Sequence, residues 1–342
     1  MNSRIGSDHR FAVPPVARRV LGAIGVLPFI IAVCFLFFGI WEERFVSGEN
    51  LFNVVRQSTY LIIVSVGQMI TLLTAGIDLS VGTNVAIVSV VTATVMAGIV
   101  QADPTAIGWA MTAGILAGLG TGAVVGMVNG IGVAILRVTP FVMTLGTFSM
   151  AMGLALFLTG GYGVYGMPTQ FGDIFAYAAP LGIPVPILYA ALVYLGVALL
   201  LNWTSAGRYF YAIGSNRTAA RLSGINTAWY LFLAYAIGGV VTGIGGILLT
   251  ARVETGQATL GGANLVLQSI AACVIAGVSL SGGKGLLRNV VLGAFFITLL
   301  SNGMNLLRID NYLQTFILGA VLVIAIAIDQ LRLRLTGQTR AD

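Results

Sequence analysis

The sequence predicts an all-α polytopic membrane protein with about ten transmembrane helices, and three observations support this fold class. The mean hydropathy is +0.97 and only 8% of the 342 residues are charged, whereas ordinary soluble domains carry about 25% charged residues. Apolar runs recur along the chain, each close to the roughly 20 residues that a helix needs to span a bilayer. The runs lack period-two alternation, which excludes a barrel, the other structure that satisfies its backbone in lipid.

Ten spans follow from these runs. They cover residues 20–40, 57–75, 80–100, 107–135, 139–159, 183–202, 229–251, 264–281, 288–307 and 312–330. Together they form one transmembrane domain, 20–330, between an N-terminal tail of residues 1–19 and a C-terminal tail of residues 331–342. The run after the arginine-rich N-terminal tail is long enough to span and shows no cleavage site, so we interpret it as an uncleaved first helix.

The basic residues orient these spans. With the N-terminus in the cytoplasm, the outer side holds only Arg44, Arg56, Arg252 and Arg308, and the other 13 of the 17 basic residues lie inside. Cytoplasmic loops show this bias. Both termini are therefore predicted to be cytoplasmic, and the net charge of +6 needs no nucleic-acid partner to explain it.

The longest predicted cytoplasmic loop, residues 203–228, is unusually polar for this chain. It contains "GSNRTAARLSGIN" (214–226), in which Ser215 or Asn216 can cap a helix over residues 217–222 and Gly224 suits the left-handed position after it. A helix of two turns is marginal alone in water. It therefore rests either on the protein's own cytoplasmic face or in a groove of another protein.

No catalytic or metal-binding residues are predicted. Lys284 is followed by Gly285, where a phosphate-binding loop needs Ser or Thr, and Val278 stands where that loop needs its first glycine. Two cysteines in apolar runs and one histidine in the N-terminal tail give no metal-ligand spacing. Because paired carboxylates and a Ser–His–Asp set are also missing from the sequence, an enzyme is not predicted.

Asp78 is the single candidate for an ion-coupling group. It lies in "AGIDLSVG" (75–82), where glycines interrupt an apolar run, and interrupted helices often line transport sites. Its carboxylate can instead cap the start of the third span by accepting amide hydrogen bonds. We favour capping, with proximity to a transport pathway as the second role.

Two stripes of uncharged polar residues are candidates for the lining of a translocation pathway. On the second span the stripe follows three- and four-residue steps and so shares one helical face; it comprises Ser65, Gln68 and Thr71 and continues through Ala75 to Asp78. The ninth span carries Ser301, Asn302 and Asn305. Such residues either contact a hydroxylated solute or form hydrogen bonds between helices.

Short internal echoes suggest an inverted repeat. "GIDLSVGTN" (76–84) and "GQATLGGAN" (256–264) share G-x5-G-x-N and join spans two–three and seven–eight, on opposite sides of the membrane as inverted repeats require. A competing echo pairs residues 75–82 with "AGVSLSGG" (276–283). That echo joins corners on the same side.

Four motifs in order resemble the membrane subunit of ribose-type sugar ABC importers. They are "LTAGIDLSVGTNVAI" (73–87), "GRYFYAIGSNRTAARLSGIN" (207–226), "IAGVSLSGGKG" (275–285) and "NGMNLL" (302–307). The resemblance runs from about residue 50 to 330. In that family the loop after the sixth span carries a coupling helix that inserts into a groove of the ATPase subunit, which implies a coupling role here for Asn216, Arg217, Ala219, Ala220, Arg221, Gly224 and Asn226.

The resemblance implies the remaining functional expectations. The chain would be a multi-pass permease in a bacterial inner membrane, passing a neutral sugar such as a ribose-like monosaccharide or a polyol. Its partners would be a second permease subunit, either identical or homologous, a cytoplasmic ATPase that uses ATP and magnesium, and a periplasmic sugar-binding protein. This chain itself would bind no cofactor. The alternative is an ion-coupled secondary transporter that works without an ATPase, with Asp78 as its coupling group.

Overall fold

The computed structural model describes residues 27–335, with side chains over 27–327, and this part of the chain is helical apart from short connections. Most of the two predicted tails and the first residues of the first span lie outside the described residues. The helices are α1 Leu27–Trp41, α2 Gly48–Leu73, α3 Val81–Ala102, α4 Ile107–Ala134, α5 Pro140–Thr159, α6 Thr169–Gly172, α7 Val185–Trp203, α8 Ser205–Ser215, α9 Arg217–Leu222, α10 Thr227–Val253, α11 Gly262–Ile275, α12 Leu287–Leu306 and α13 Asn311–Leu335.

The predicted spans match this helix order. The nine spans from 57 to 330 coincide with α2 to α5, α7 and α10 to α13, and the described part of the first span is α1. Six of the described helices are long and apolar enough to cross a membrane, namely α3, α4, α5, α7, α10 and α12. The protein is thus an all-helical, integral membrane protein, and the number of ten crossings stays a prediction.

Helix α2 is less apolar than these six helices, in keeping with its position at the centre of the bundle. All its residues from Ser58 to Leu73 are buried, and it contacts α10, α12, α7 and α11. A helix enclosed by protein can carry polar side chains, because lipid never reaches them. It also starts earlier than the predicted span, at Gly48.

Glycines bring α4 and α10 into close contact. Gly122 and Gly126 on α4 pack directly against the backbone of Gly239 and Gly243 on α10. Small residues at four-residue spacing allow two helix backbones to approach in a membrane. These two helices form the most extensive helix pair of the described chain.

The connection from α10 to α11 enters the bundle instead of remaining at its outer end. Gly256 packs against Ala93 on α3, whereas Gly262 packs against Gly82. These contacts are eleven residues apart on α3, about 16 Å along a helix axis. The chain therefore runs back along α3 without helical structure, and α11 begins beside the start of α3.

Helix α11 is also shorter than the predicted span 264–281. It ends at Ile275, and the chain turns at Gly277, whose φ of +80° is left-handed. The amide of Val278 donates to the carbonyl of Cys273 at 2.9 Å, as in the hydrogen-bonded helix ends that use a left-handed residue. The predicted end is thus six residues too late, because hydropathy does not detect this turn.

Candidate functional site

The predicted polar loop 203–228 consists mainly of two helices, α8 and α9. Helix α8 was not predicted, although its cap has a recognisable signal: the Thr204 hydroxyl accepts a hydrogen bond from the Gly207 amide at 3.3 Å. Phe210 and Ile213 on its inner face are buried against the bundle. Helix α8 therefore fixes the position from which α9 starts.

Helix α9 has the bounds and the caps that the sequence predicts. The Asn216 side-chain oxygen accepts from the Ala219 amide at 2.9 Å, and the helix covers Arg217–Leu222. Gly224 follows with a left-handed φ of +83°, which a residue without a Cβ adopts readily. Asn226 then caps α10 by accepting from the Trp229 amide at 3.1 Å.

The predicted coupling residues divide between the two faces of α9. Ala220 is only 5% exposed and packs with Ala134, Ile213 and Leu231, so it seats α9 on the bundle and is not available as a contact. The other predicted coupling residues are exposed, namely Asn216, Arg217, Ala219, Arg221, Gly224 and Asn226. Sequence reasoning missed Leu222, which is 83% exposed at the end of the helix.

Asp78 lies in the buried corner between α2 and α3. Its Oδ1 atom accepts from the Ser80 amide at 2.9 Å and from the Ser80 hydroxyl at 2.6 Å. The Asn129 amide group donates to the same oxygen at 3.5 Å and to the Ser80 hydroxyl at 2.7 Å. Burial raises the pKa of the Asp78 carboxyl above its ordinary value, and the hydrogen bonds from Ser80 act in the opposite direction.

Asp78 forms its hydrogen bonds in the turn before α3, not at the helix start where the sequence predicts the cap. Helix α3 begins at Val81 after Ser80, and its first turn receives no side-chain cap. Asp78 instead closes the turn before the helix and connects that turn to Asn129 on α4. The carboxylate thus holds the corner in place.

The polar stripe on α2 faces the interior of the bundle. Ser65, Gln68 and Thr71 are fully buried, and the Thr71 hydroxyl donates to the Gln68 carbonyl at 2.8 Å. The Ser65 hydroxyl and both amide atoms of Gln68 have no hydrogen-bond partner among the described residues. Helix α11 contacts the start of this stripe, where the Cys273 thiol donates to the Ser65 carbonyl at 3.3 Å, and the Thr71 side chain lies beside Gly238 on α10.

Neighbouring helices add further buried polar groups that the sequence analysis did not identify. Within the described chain, atoms without a partner occur on α3, α4 and α10, at Asn84, Thr92, Asn129, Tyr235 and Thr242. Each helix contributes only one or two of them, so none forms a stripe that sequence periodicity would detect. Like Ser65 and Gln68, these groups lie inside the bundle.

On the α12 stripe, the Ser301 hydroxyl is also buried without a partner among the described residues, whereas Asn302 and Asn305 are hydrogen-bonded to other helices. Asn302 exchanges two hydrogen bonds with Asn50, at 2.9 and 3.0 Å, and the Asn305 oxygen accepts from Gln314 at 2.9 Å. These bonds tie α12 to the first turn of α2 and to α13. Asn302 and Asn305 therefore act between helices, away from Gln68 and Asp78.

A different set of polar side chains is accessible where α11 begins. Thr259 and Asn264 are exposed and Gln268, one turn further along α11, is partly exposed; their side chains have no hydrogen-bond partner among residues 27–327. By contrast, the exposed residues of α7 from Leu188 to Leu199 are all Leu, Ala or Gly, as expected for contact with lipid; the leucines are Leu188, Leu192, Leu195 and Leu199. Free amide groups on an accessible surface favour water or a solute over lipid.

The described residues contain no group of three or more His, Cys, Asp or Glu side chains that could hold a metal ion. Asp78 is the one buried charged side chain among them.

Comparison with known sequences identifies the class of protein. The sequence pattern of a family described as "Branched-chain amino acid transport system / permease component" matches residues 50–326. The chain therefore belongs to this family of ABC importer permease components, which includes the ribose-type sugar permeases. No solved structure matches it.

Individual relatives come from sugar importers. The D-allose transport system permease protein AlsC of Escherichia coli K12 is 34% identical over 305 residues, 89% of this chain and 90% of that protein. The ribose import permease protein RbsC of the same strain is 35% identical over 291 residues, 84% and 88% of the two chains. The galactose/methyl galactoside import permease protein MglC of Salmonella typhimurium LT2 is 34% identical over 300 residues, 85% and 89%. The predicted resemblance to ribose-type permeases is confirmed.

Proposed function

We propose that this chain forms the translocation pathway for a neutral sugar in the inner membrane of a bacterium, and that a separate cytoplasmic subunit hydrolyses the ATP that drives it. A periplasmic binding protein delivers the sugar, and a second permease subunit completes the pathway. The relatives from ribose, allose and galactose importers support this proposal.

The observation that carries the proposal is the construction of α9. This helix has only six residues, yet caps fix both of its ends and Ala220 anchors it on α4, α8 and α10. Its Leu222 side chain projects from the predicted cytoplasmic side with 83% of its surface exposed. A rigid two-turn helix with an exposed apolar end suits insertion into a groove of the ATPase subunit.

Neutrality of the solute is supported by the charges of the bundle. An amino acid, the solute in the family description, carries a carboxylate and an ammonium group, and a buried anion requires a cation or several donors. In the described bundle the buried polar residues are uncharged except for Asp78. Sugar hydroxyls match amide and hydroxyl side chains, which donate and accept hydrogen bonds.

We place the pathway lining at the start of α11, at Thr259, Asn264 and Gln268. Their free polar groups lie where the chain re-enters the bundle, and a broken helix of this kind exposes backbone and side-chain groups to a solute. The stripe predicted on α2, Ser65, Gln68 and Thr71, is fully buried in this structure. Asp78 holds the corner on which α3 starts.

The contact between α3 and α11 also supports an inverted repeat. In the echo of residues 76–84 and 256–264, Gly82 corresponds to Gly262, and these two glycines pack against each other, so the two segments meet instead of lying on opposite sides of the membrane as the sequence predicts. Residues that a two-fold axis exchanges can touch only where they lie beside that axis. Ten crossings would put both termini on the same side of the membrane, and the distribution of basic residues predicts that this side is the cytoplasm.

An uptake competition tests the proposal on the solute. Proteoliposomes that contain this chain, its ATPase and its binding protein are given a labelled sugar with an excess of unlabelled competitor. Neutral pentoses or hexoses should compete, whereas sugar acids, sugar phosphates and branched-chain amino acids should not. Efficient uptake of an amino acid would contradict the proposal.

A further inference from the structure

A groove opens between α9 and the corner that joins α4 to α5. Its volume is about 590 Å³, and its walls include Arg137, Arg217 and Arg221. The floor consists of the last residues of α4, the first residues of α5 and the first residues of α10. Because these three helices are long and apolar enough to span the membrane, the groove lies at the level where the helices leave the bilayer.

The three arginines of the groove form an uncompensated positive cluster. None of them has an ion pair or hydrogen-bond partner for its guanidinium group among residues 27–327. Partial burial lowers the pKa of Arg217, and the positive charges of Arg221 and Arg137 lower it further. Three cations at the wall of one groove repel each other unless an anion lies between them.

The surroundings of the groove are those of a membrane interface. Ile135, Leu136 and Phe141 are each more than half exposed beside it, and so is Trp229 at the start of α10. Tryptophan and exposed apolar side chains next to arginine are typical of the layer where lipid headgroups meet hydrocarbon.

We propose that this groove binds the phosphate of an anionic phospholipid from the predicted cytoplasmic leaflet. The phosphodiester accepts charge-assisted hydrogen bonds from the guanidinium groups of Arg217, Arg221 and Arg137. Its acyl chains lie along the exposed apolar residues of α4 and α5. This inference goes beyond the transport function and does not depend on which solute is carried.

The test measures lipid binding by the full-length protein in detergent. Phosphatidylglycerol is titrated and its binding is followed by native mass spectrometry, with phosphatidylcholine and inorganic phosphate as comparison probes. The triple variant Arg137→Gln, Arg217→Gln and Arg221→Gln should bind phosphatidylglycerol about 30-fold more weakly, since each of the three charge-assisted bonds contributes about threefold. Arg208→Gln is the matched control, because Arg208 is exposed and does not line the groove.

If the triple variant does not fold, the single variant Arg217→Gln replaces it, with an expected loss of about threefold. Equal phosphatidylglycerol binding by the groove variants and by the Arg208→Gln control would overturn the proposal. So would displacement of the lipid by millimolar inorganic phosphate, which would make the groove a site for free anions. Unchanged lipid binding with lost affinity for the ATPase would assign the arginines to the protein partner instead.

Discussion

Truncation of Leu222 tests whether α9 docks into the ATPase subunit. The Leu222 side chain is 83% exposed and packs on little of its own protein, whereas Ala220 on the other face of α9 already anchors the helix. The substitution Leu222→Ala should therefore leave the fold intact. Its effect should appear only when the partner is present.

The size of the effect follows from the exposed surface. Leu→Ala removes three carbon groups, each of which contributes about 0.8 kcal/mol when fully buried. Because 83% of the side chain is available, the binding free energy should fall by about 2 kcal/mol. This loss corresponds to a dissociation constant roughly 30-fold higher. Surface substitutions of this kind change the free energy of unfolding by less than about 0.5 kcal/mol.

The assay is titration of the purified ATPase subunit onto the permease in nanodiscs, with no binding protein present. Leu181→Ala is the matched control, because Leu181 is fully exposed but lies on the predicted outer side. Wild-type affinity of Leu222→Ala for the ATPase, or an equal loss in Leu181→Ala, would refute the assignment of α9 as the docking element.

Three further substitutions test separate parts of the structure. Gly82→Ala should destabilise the protein by about 1–3 kcal/mol, because the added methyl group would overlap the Gly262 carbonyl. The control Gly98→Ala, in the same helix, meets open space and should stabilise the protein slightly. Thermal unfolding in detergent compares the two variants, and equal unfolding midpoints would argue against the close contact. Asp78→Asn keeps an oxygen for the Ser80 amide and should retain most uptake. Asp78→Leu leaves buried donors unpaired, at a cost of about 1–3 kcal/mol each, and should lose most uptake. If both variants are equally inactive, the role of Asp78 depends on its charge. Asn264→Leu should lower sugar uptake about threefold to tenfold by removing a hydrogen bond to the solute while leaving thermal stability unchanged, and undiminished uptake would move the lining away from α11.

Much of the fold could be predicted because local signals determine it. Hydropathy and run length located the helices, and the bounds of α9 followed from Asn216 at its start and Gly224 after its end. Both signals act within a few residues, so the sequence around them is sufficient.

The location of the site residues could not be predicted to the same degree. A three- and four-residue spacing places Ser65, Gln68 and Thr71 on one face of α2, but a polar face looks the same in sequence whether it meets a solute or another helix. Ala220 likewise gave no sign that it points inward. These outcomes depend on contacts between residues far apart in sequence, such as that of Cys273 with Ser65.

The re-entry of the chain between α10 and α11 depends on tertiary structure in the same way. The segment carries glycines and polar residues that indicate a turn, but its course along α3 follows from the contacts of Gly256 with Ala93 and of Gly262 with Gly82. This course leaves the Asn264 side chain exposed at the start of α11.

The energy source of transport tests the central claim most directly. Proteoliposomes that contain the chain with its ATPase and binding protein are loaded with ATP on the ATPase side, and sugar uptake is compared with that of the chain alone under an imposed proton gradient. We expect uptake that requires ATP and all three components, and no uptake by the chain alone. Gradient-driven uptake by this chain without the ATPase would contradict the account and would favour an ion-coupled transporter.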